Sequence, residues 1–268
     1  MITADLFSFA YIPTWFEQLY ELSRLATPEP WRFKIPDHEM QNDQTPILER
    51  YINQVFRKQA VDYNYAPPED ADYIFYIRNE FACLHTGLYT PALKAIYMCF
   101  ERNKKRDTLR QWYFKNFATE GSPTLKYVNP LPMRPAHALL QQIPYFDPEK
   151  EIRINAEHIL QDDENVKRLP APIRAAWNLP LLLETAVEMS RRKALVDWNL
   201  AVPQVFQNRI QYLLPIHLTN MAIPDLAIVL SGMDGYYIGH TCLTRQMAYQ
   251  NARLLARPTA GWLIDLVE

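Results

Sequence analysis

The residues best suited to acid–base chemistry lie just past the middle of the sequence. His158 follows Asn155 by three positions, and Arg168 comes after an acidic run at 162–164. A histidine near carboxylates can act as a general acid or base close to neutral pH, and an arginine can stabilise the charge of a phosphate. The same pattern is typical of a helix that Asn155 caps, with His158 as an ordinary surface residue. The sequence leaves both interpretations open, and we take His158 as a candidate catalytic residue and Asn155 and Arg168 as candidate phosphate ligands.

A second candidate group lies on a helix predicted near the C-terminus. Spacings of four residues place Arg245, Tyr249 and Arg253 on one face, and Asn251 lies near Arg253. A planar guanidinium suits bidentate capture of phosphate or carboxylate. Alternatively, Tyr249 packs in the core while the arginines are solvated or pair with an acid such as Asp225. For Arg245 we favour that alternative, whereas Tyr249, Asn251 and Arg253 are candidate substrate or phosphate ligands.

Two further polar residues lie beside apolar segments. Asp225 precedes the apolar run 226–230 and is a candidate general base at a strand end, although a carboxylate there more often closes a turn. Gln204 follows Pro203 and is a candidate ligand. No nucleophile with its base, no pair of glycosidase carboxylates and no zinc-protease motif can be recognised in the local sequence. Because catalytic triads assemble in space, this does not exclude such a site.

Two histidine–cysteine pairs have a spacing of two residues. Cys83 and His85 form one pair, and His240 and Cys242 form the other. On a strand that spacing puts both side chains on the same face, so a zinc site would arise if the two strands met. Metal-binding knuckles normally use turn-forming spacings, and buried cysteines are the usual outcome on strands. We therefore predict no metal ligands, and no motif identifies a cofactor or supports a divalent metal.

Short basic clusters alternate with aromatic residues. One cluster consists of Arg102, Lys104, Lys105, Arg106 and Arg110, and the other covers 191–193. Their aromatic neighbours are Tyr97, Phe100, Trp112, Tyr113 and Trp198. Aromatic rings beside cations suit single-stranded nucleic acid, but runs this short are usually solvated loops next to core aromatics.

The composition narrows the range of functions. The 268 residues carry a formal charge of -2, so any surface for nucleic acid must be local. There are 21 prolines but only 6 glycines, and no Gly-rich phosphate loop, which argues against dinucleotide-binding and P-loop enzymes. Three scattered cysteines indicate a reducing compartment. Since neither a signal peptide nor a membrane-length apolar stretch is found, we expect a soluble cytoplasmic protein with no membrane partner.

The elements that must position these residues follow from the hydrophobic pattern. Predicted helices cover 13–26, 46–61, 136–142, the surroundings of His158, 173–198 with a break at Pro180, and 244–256. Predicted strands cover 73–78 and 81–85, a hairpin closed by Thr86 and Gly87, then 112–117, 152–154, 209–218, 225–230 and 236–243. The run 92–101 fits either a helix or a strand. Pro28, Pro30 and Pro36 predict an extended connector after the first helix.

This order of elements is that of an α+β fold. It has N-terminal helices, central strands and a C-terminal antiparallel meander closed by a helix. The sequence contains no internal repeat. The one candidate seam, 127–148, lacks the composition of a flexible linker, so residues 1–268 are expected to form a single domain.

A series of motifs runs in order along most of the chain. They are 86–90, 112–114, 155–160, Arg168, 201–204, 213–215, 225–227, Thr241, Leu243, 247–249, 251–254 and Pro258. With these motifs the chain resembles a mainly bacterial family, number 3825 among the domains of unknown function, although His85 stands where that family usually has asparagine. Family members are often fused to cold-shock or other predicted RNA-binding domains, so the resemblance implies a role in RNA metabolism by association. It also adds Thr86 and Gly87 to the candidate ligands.

We therefore expect a nucleotide- or RNA-binding domain of RNA metabolism whose phosphate contacts come from the C-terminal half. The sequence leaves open whether the protein also acts on a phosphoester, and which oligomeric state it adopts. An enzyme would bring His158 or Asp225 into one pocket with Asn251 and Arg253. The alternative is a protein-interaction or regulatory subunit without catalytic activity, which an exposed apolar patch would mark.

Overall fold

The computed structural model describes residues 1–31, 45–105 and 110–264, so Pro36 of the predicted connector and Arg106 of the basic cluster lie outside the described residues. Contacts between α-carbons divide the chain into two compact units, 1–137 and 138–268. The boundary falls within the predicted seam at 127–148, and the single-domain expectation stays a prediction. In the part of the chain that the structure describes, no helix is both long and apolar enough to cross a membrane.

The described residues of the first unit form a five-stranded sheet with helices ahead of it in the chain. The strands are β1 (Ala10–Tyr11), β2 (Phe75–Arg78), β3 (Phe81–Tyr89), β4 (Ala95–Arg102) and β5 (Trp112–Thr119). The helices are α1 (Leu6–Phe9), α2 (Trp15–Leu25), α3 (Pro46–Tyr65) and α4 (Pro68–Ile74). The strand order is β1-β5-β4-β3-β2, in which β1 runs parallel to β5 and the other neighbouring pairs are antiparallel.

The two faces of this sheet are covered differently. On one face, the ring of Phe56 from α3 lies 5.8 Å from that of Phe75 and 6.3 Å from that of Phe100. Tyr76 follows Phe75 on the strand and therefore points to the other face. There it joins a cluster that includes Leu125 and Val128, from the segment after β5. The first unit thus buries apolar side chains on both sides of its sheet.

The second unit contains another sheet and the long helix α8. Its helices are α5 (His137–Leu140) at the boundary, α6 (Ala156–Gln161), α7 (Asp163–Arg168), α8 (Leu179–Ala194), α9 (Arg245–Arg253) and α10 (Gly261–Ile264). Its strands are β6 (Glu151–Ile154), β7 (Val202–Phe206), β8 (Arg209–Ile216), β9 (Leu226–Gly232) and β10 (Tyr236–Leu243). The strand order is β6-β10-β9-β8-β7, with β6 parallel to β10 and the other neighbouring pairs antiparallel. Leu183 and Val187 of α8 share a core cluster with Leu214 and Ile228 of this sheet.

The two units repeat one topology. In each unit a short strand is followed by helices and then by a four-stranded antiparallel meander, and the last strand of the meander lies beside the short strand and parallel to it. The sequence contains no matching repeat, because strand order is set by pairing between distant segments and tolerates many side-chain patterns. The repeat makes β2, β3, β4 and β5 the equivalents of β7, β8, β9 and β10.

The α+β prediction is confirmed, including the C-terminal antiparallel strands that end in a helix. Residues 95–101 of the ambiguous run belong to strand β4, which is paired on both sides. Tyr73 and Ile74, predicted as strand, are the end of α4. This helix was not predicted from the sequence, and neither were α1, α7, α10, β1 and β7. Pro180 does not break a long helix but lies in the first turn of α8, where its missing N–H costs no hydrogen bond.

The prediction that Thr86 and Gly87 close a hairpin was wrong. Strand β3 continues to Tyr89, and its pairing with β4 is interrupted between His85 and Tyr89 by an irregularity. Gly87 has a φ of 77°, a left-handed conformation that glycine adopts without the steric cost of a β-carbon. The glycine therefore bends a strand instead of ending it.

Candidate functional site

Asn155 caps a helix and thereby positions the start of α6. Its side-chain Oδ1 accepts the backbone N–H of His158 at 2.9 Å, as in the capping alternative considered from the sequence. The His158 side chain is exposed. Downstream, Asp162 caps α7 by accepting the N–H of Glu164 at 2.9 Å, so the acidic run begins a helix.

Arg168 joins α7 to strand β10. Its Nη1 donates to Asn165 Oδ1 at 2.9 Å and to the carbonyl of Cys242 at 2.8 Å. Asn165 is buried, and the same Oδ1 accepts the hydroxyl of Thr241 at 2.7 Å while its amide donates to the carbonyl of Ile159 at 3.0 Å. Asn165, which the sequence analysis missed, therefore links α6, α7 and β10.

Asp225 closes the loop between β8 and β9. Its carboxylate accepts the backbone N–H groups of Leu218 at 2.6 Å and Thr219 at 2.9 Å, and the Thr219 hydroxyl at 2.7 Å. This is the turn-closing arrangement considered from the sequence. Arg245 is half-buried, and this burial lowers the pKa of its guanidinium. The Asp225 carboxylate acts in the opposite direction and raises that pKa.

Thr86 and Gly87 lie in the first unit and contact its interior. The fully buried Thr86 donates its hydroxyl to the carbonyl of Ile96 at 2.7 Å, and its own carbonyl accepts the hydroxyl of Tyr51 at 2.9 Å. The N–H of Gly87 donates to Nδ1 of His85 at 2.8 Å. The His85 ring packs against Tyr97 at 5.0 Å between centroids, and this histidine is buried.

Gln204 and Asn251 belong to a row of hydrogen-bonded side chains that crosses the second sheet. Asn251 of α9 donates to Gln204 Oε1 at 3.0 Å, and Gln204 donates to Gln211 Oε1 at 3.1 Å. Gln211 donates to Ser231 Oγ at 3.0 Å, and Ser231 Oγ lies 2.8 Å from Nε2 of His240. We call these five residues the polar row. It runs from the buried Gln204 to the exposed His240.

The two sheets share one topology, but the row of the first unit that is equivalent to the polar row is largely apolar. Gln204 and Gln211 are the third pair from the turn of the β7–β8 hairpin, and Tyr76 and Cys83 are the third pair of the equivalent β2–β3 hairpin. Cys83 in turn pairs with Cys99 on β4. Both rows lie on the face opposite the long helix, but the row of the first unit is buried and largely apolar. The second unit therefore carries polar groups where its counterpart carries core residues.

Besides Asn251, helix α9 places two more of the candidate residues, Tyr249 and Arg253, near the second sheet. Thr244 caps the helix by accepting the N–H of Met247 at 3.2 Å. Tyr249 is fully buried and Arg253 is 6% exposed, so their side chains point into the protein. α9 packs against β7, β9 and β10, the strands that carry three members of the polar row.

The cysteines and histidines do not form a metal centre within residues 1–31, 45–105 and 110–264, where no three His, Cys, Asp or Glu side chains are placed to hold a metal ion. The three cysteines are free and buried. Burial raises the pKa of Cys99 to about 12 and that of Cys242 to about 12. Burial also raises the pKa of Cys83. These thiols are therefore protonated and unreactive near neutral pH.

A groove of about 430 Å³ in the first unit collects part of the predicted basic cluster. Its cations are Arg78, Arg102, Lys104 and Lys115, its acids are Glu80 and Glu101, and its aromatic residues are Tyr76, Phe81 and Tyr127. We call this the basic groove. Tyr127 is 83% exposed, and Lys126 Nζ lies 5.3 Å from the centre of its ring.

Ion pairs occupy some of these cations. Lys115 pairs with Glu101 at 3.0 Å, Arg78 pairs with Asp72, and Arg102 lies 4.0 Å from Glu80. The side chains of the Lys115–Glu101 and Arg102–Glu80 pairs are between 41% and 75% exposed, so these two pairs are weak and can exchange with a phosphate, whereas Asp72 is only 20% exposed.

The basic groove continues onto a set of stacked cations. Lys105 Nζ lies 4.7 Å from the ring centre of Tyr11 and 5.6 Å from that of Tyr113, and the Arg102 guanidinium lies 4.8 Å from that of Trp112. Three of the aromatic neighbours named from the sequence, Tyr97, Phe100 and Trp112, are buried in the core, although a cation covers the Trp112 ring.

The structure thus joins Gln204 with Asn251, while Arg168 bonds to Asn165 and β10. The chemistry of His158 and Asp225 stays a prediction, as do the ligand roles of the other candidates. Gln211 and Ser231 were not among the candidate residues predicted from the sequence. The detectable signal was the pair of glutamines on either side of a two-residue turn, at positions that face each other once the hairpin forms.

Comparison with known proteins gives a family but no function. The family model described as "Domain of unknown function (DUF3825)" matches residues 22–262. Searches of the curated proteins and of the solved structures returned no match. Because the match covers most of the chain and both units, the protein belongs to the DUF3825 family.

Proposed function

We propose that this protein binds single-stranded RNA or a nucleotide, and that the basic groove of the first unit is the binding surface. The observation that carries the proposal is the position of Tyr127, an exposed ring beside four cations in one open groove. Single-stranded nucleic acids bind where aromatic rings stack on bases and cations contact the phosphates.

The charges of the groove favour an anionic ligand. The four cations of its lining outnumber the two carboxylates, although the whole chain carries a formal charge of -2. A local excess of this kind raises the concentration of polyanions at the groove and not over the whole surface. Lys105, held over the rings of Tyr11 and Tyr113, extends the same charge beyond the groove.

Phosphate binding by the second unit, as expected from the sequence, has less support than binding by the basic groove. Arg168 already uses its Nη1 donors on Asn165 and Cys242, and Asn251 donates to Gln204. Arg253 is buried, so a phosphate would have to reach it below the surface. A role for His158 in phosphoester cleavage stays part of the proposal only if RNA is cut on incubation.

The experiment measures the fluorescence anisotropy of a labelled ten-residue oligouridylate between 50 and 300 mM salt. Tyr127→Ala removes a stacking platform, for which we expect a loss of about 1–3 kcal/mol in binding free energy. Lys104→Ala removes one phosphate contact and should reduce the slope of log K against log salt by about 0.7. Lys94→Ala is the matched control, since Lys94 is exposed in the same unit but does not line the groove.

The proposal fails if the native chain does not bind at 50 mM salt, or if Tyr127→Ala and Lys104→Ala bind as tightly as Lys94→Ala. Gel analysis of the same RNA after incubation tests cleavage. An intact oligonucleotide would remove the phosphoester part of the proposal and leave binding in place.

A second candidate function is that of a protein-interaction or regulatory subunit. The observation that favours it is the exposure of large apolar side chains at the two ends of α8. Trp177 is 93% exposed and Leu181 60% at one end, while Val196 is 89% and Trp198 76% exposed at the other. Exposed apolar groups of this size mark interaction surfaces when they are clustered. Crosslinking in cell extract treated with nuclease tests this candidate, which predicts that Trp177→Ser and Trp198→Ser lose partners that Lys94→Ala retains.

A further inference from the structure

We propose that Ser231 and His240 form a nucleophile–base pair that hydrolyses an uncharged carboxylic ester. This activity is separate from nucleic-acid binding, because it resides in the polar row of the second unit. The pair has the geometry that activation requires, since Ser231 Oγ lies 2.8 Å from Nε2 of His240. A hydroxyl becomes an effective nucleophile when an adjacent base accepts its proton.

The rest of the polar row is compatible with proton transfer from Ser231 to His240. Gln211 donates its amide to Ser231 Oγ at 3.0 Å, and the serine hydroxyl can in turn donate to Nε2 of His240 in the tautomer that carries the imidazole proton on Nδ1. The earlier hydrogen bonds of the row run in the same direction, because Asn251 donates to Gln204 and Gln204 donates to Gln211. Hydrogen bonds aligned in one direction polarise one another, which strengthens the last donor in the chain.

A break in the strand register brings His240 to the serine. The pairing of β10 with β9 shifts between Gly239 and Thr241, so His240 is the extra residue of the bulge. In the regular register Ser231 faces Ile238, two residues earlier. Bulges redirect side chains and are frequent beside active sites. Gly239, next to the bulge, allows β6 to approach β10 closely, because a β-carbon there would lie 2.5 Å from Cγ2 of Ile154.

The surroundings favour an uncharged substrate. The polar row consists of amides, a hydroxyl and an imidazole, with no carboxylate, lysine or arginine among its five members. Phe206 and Met233 lie two residues beyond Gln204 and Ser231, and they are 53% and 45% exposed. The exposed Arg209 pairs with Phe206 at the Gln204 end of the row, away from Ser231 and His240. Apolar side chains next to a neutral row suit a small acyl group better than a phosphate. The exposed imidazole and half-buried serine leave the pair accessible from solvent.

The reaction proceeds in two balanced steps. Ser231 Oγ attacks the ester carbonyl carbon and its proton passes to Nε2 of His240; the carbon–oxygen bond to the alcohol then breaks as His240 returns that proton to the leaving oxygen. Water next attacks the acyl-serine with His240 as base, the bond to Oγ breaks, and Oγ regains a proton. The products are one carboxylic acid and one alcohol, and the only co-reactant is water.

The experiment follows nitrophenolate release from p-nitrophenyl acetate and p-nitrophenyl butyrate by the full-length protein. We expect Ser231→Ala and His240→Gln each to reduce the protein-dependent rate by about 100-fold or more, as losing a nucleophile or its base does. His137→Gln is the matched control, since His137 is an exposed histidine that lies outside the polar row. It should retain the native rate. Acid quenching followed by peptide mass spectrometry should locate the acyl group on Ser231.

Two results would overturn the proposal. One is a Ser231→Ala rate equal to that of the native protein, which would mean that surface histidines carry the hydrolysis. The other is an acyl group on a residue other than Ser231. Gln211→Met provides a further check, because Gln211 is a positioning residue. It should lower kcat by about 10-fold with KM unchanged, whereas a purely structural role would move neither in a correctly folded variant.

Discussion

The hydroxyl of Tyr51 on α3 fills the space beside Gly87 on β3, so that no β-carbon can be placed at residue 87 without moving the tyrosine. The same hydroxyl donates to the carbonyl of Thr86 at 2.9 Å, and Tyr51 is fully buried. The bend in β3 and the packing of α3 therefore depend on each other. Thr86 and Gly87, which the family resemblance makes candidate ligands, have a structural role whatever else they do.

Gly87→Ala should destabilise the protein strongly. The substitution combines a left-handed conformation that alanine avoids with a clash against the Tyr51 hydroxyl, and we expect the free energy of unfolding to fall by about 2–4 kcal/mol. Tyr51→Phe removes the clashing oxygen at the cost of one hydrogen bond. In a double-mutant cycle followed by urea denaturation, Gly87→Ala should therefore cost about 1 kcal/mol less in the Tyr51→Phe background. Strictly additive effects would contradict the contact.

Asn251→Ala should weaken the attachment of α9 to β7. The substitution leaves Gln204 Oε1 buried without its donor, which costs about 1–3 kcal/mol. Thermal unfolding monitored by circular dichroism measures the change. Gln246→Ala, at a half-exposed position of the same helix, is the control and should stay within about 0.5 kcal/mol of the native protein. Equal stability of the two variants would show that the Asn251–Gln204 hydrogen bond contributes nothing.

Arg168→Ala should reduce stability whether or not a ligand is present. The guanidinium satisfies Asn165 and the carbonyl of Cys242, and losing both bonds should cost about 1–3 kcal/mol. The exposed Arg209 supplies a control, since Arg209→Ala should be nearly neutral. A role confined to phosphate binding predicts the opposite pattern, in which Arg168→Ala unfolds like the native protein and only RNA affinity falls.

The buried thiols should resist modification in the folded protein. Burial raises the pKa of Cys99 and of Cys242 to about 12, so at pH 8 the reactive thiolate is scarce and also inaccessible. An aromatic disulfide reagent should react slowly until guanidinium is added and then titrate all three cysteines of the chain. Fast reaction of any thiol in the native protein would contradict its burial.

The raised pKa values of the buried thiols predict how the stability of the protein depends on pH. A thiol whose pKa is higher in the folded than in the unfolded state stabilises the fold below the unfolded value of about 8.5. This contribution is lost as the pH rises toward 12, because the unfolded chain releases the proton first. The urea midpoint should therefore fall between pH 8 and pH 10, and the fall should be smaller for Cys242→Ala. A midpoint that rises over this interval would contradict the shift.

Local sequence patterns predict several helices and strands correctly, and they fail where pairing or packing with distant residues sets the conformation. The periodicity of 46–61 correctly predicts α3, and the strands predicted at 225–230 and 236–243 pair antiparallel as β9 and β10. The run 92–101 has no periodicity of its own, and its strand conformation is set by pairing with β3 and β5. Thr86 and Gly87 have the composition of a turn, but the packing of Tyr51 makes them a bend within a strand.

The sequence by itself determined the α+β class and the order of the C-terminal strands along the chain, and it offered the Asn155 cap as one of two interpretations, because these features depend on neighbours within a few residues. It also identified Gln204 and Asn251 as notable residues. Only the tertiary structure decided that they touch, that Gln211 and Ser231 continue the row, and that a bulge brings His240 to its end. Residues 47 positions apart meet because strand pairing and the return of α9 bring them together, and no local pattern contains that information.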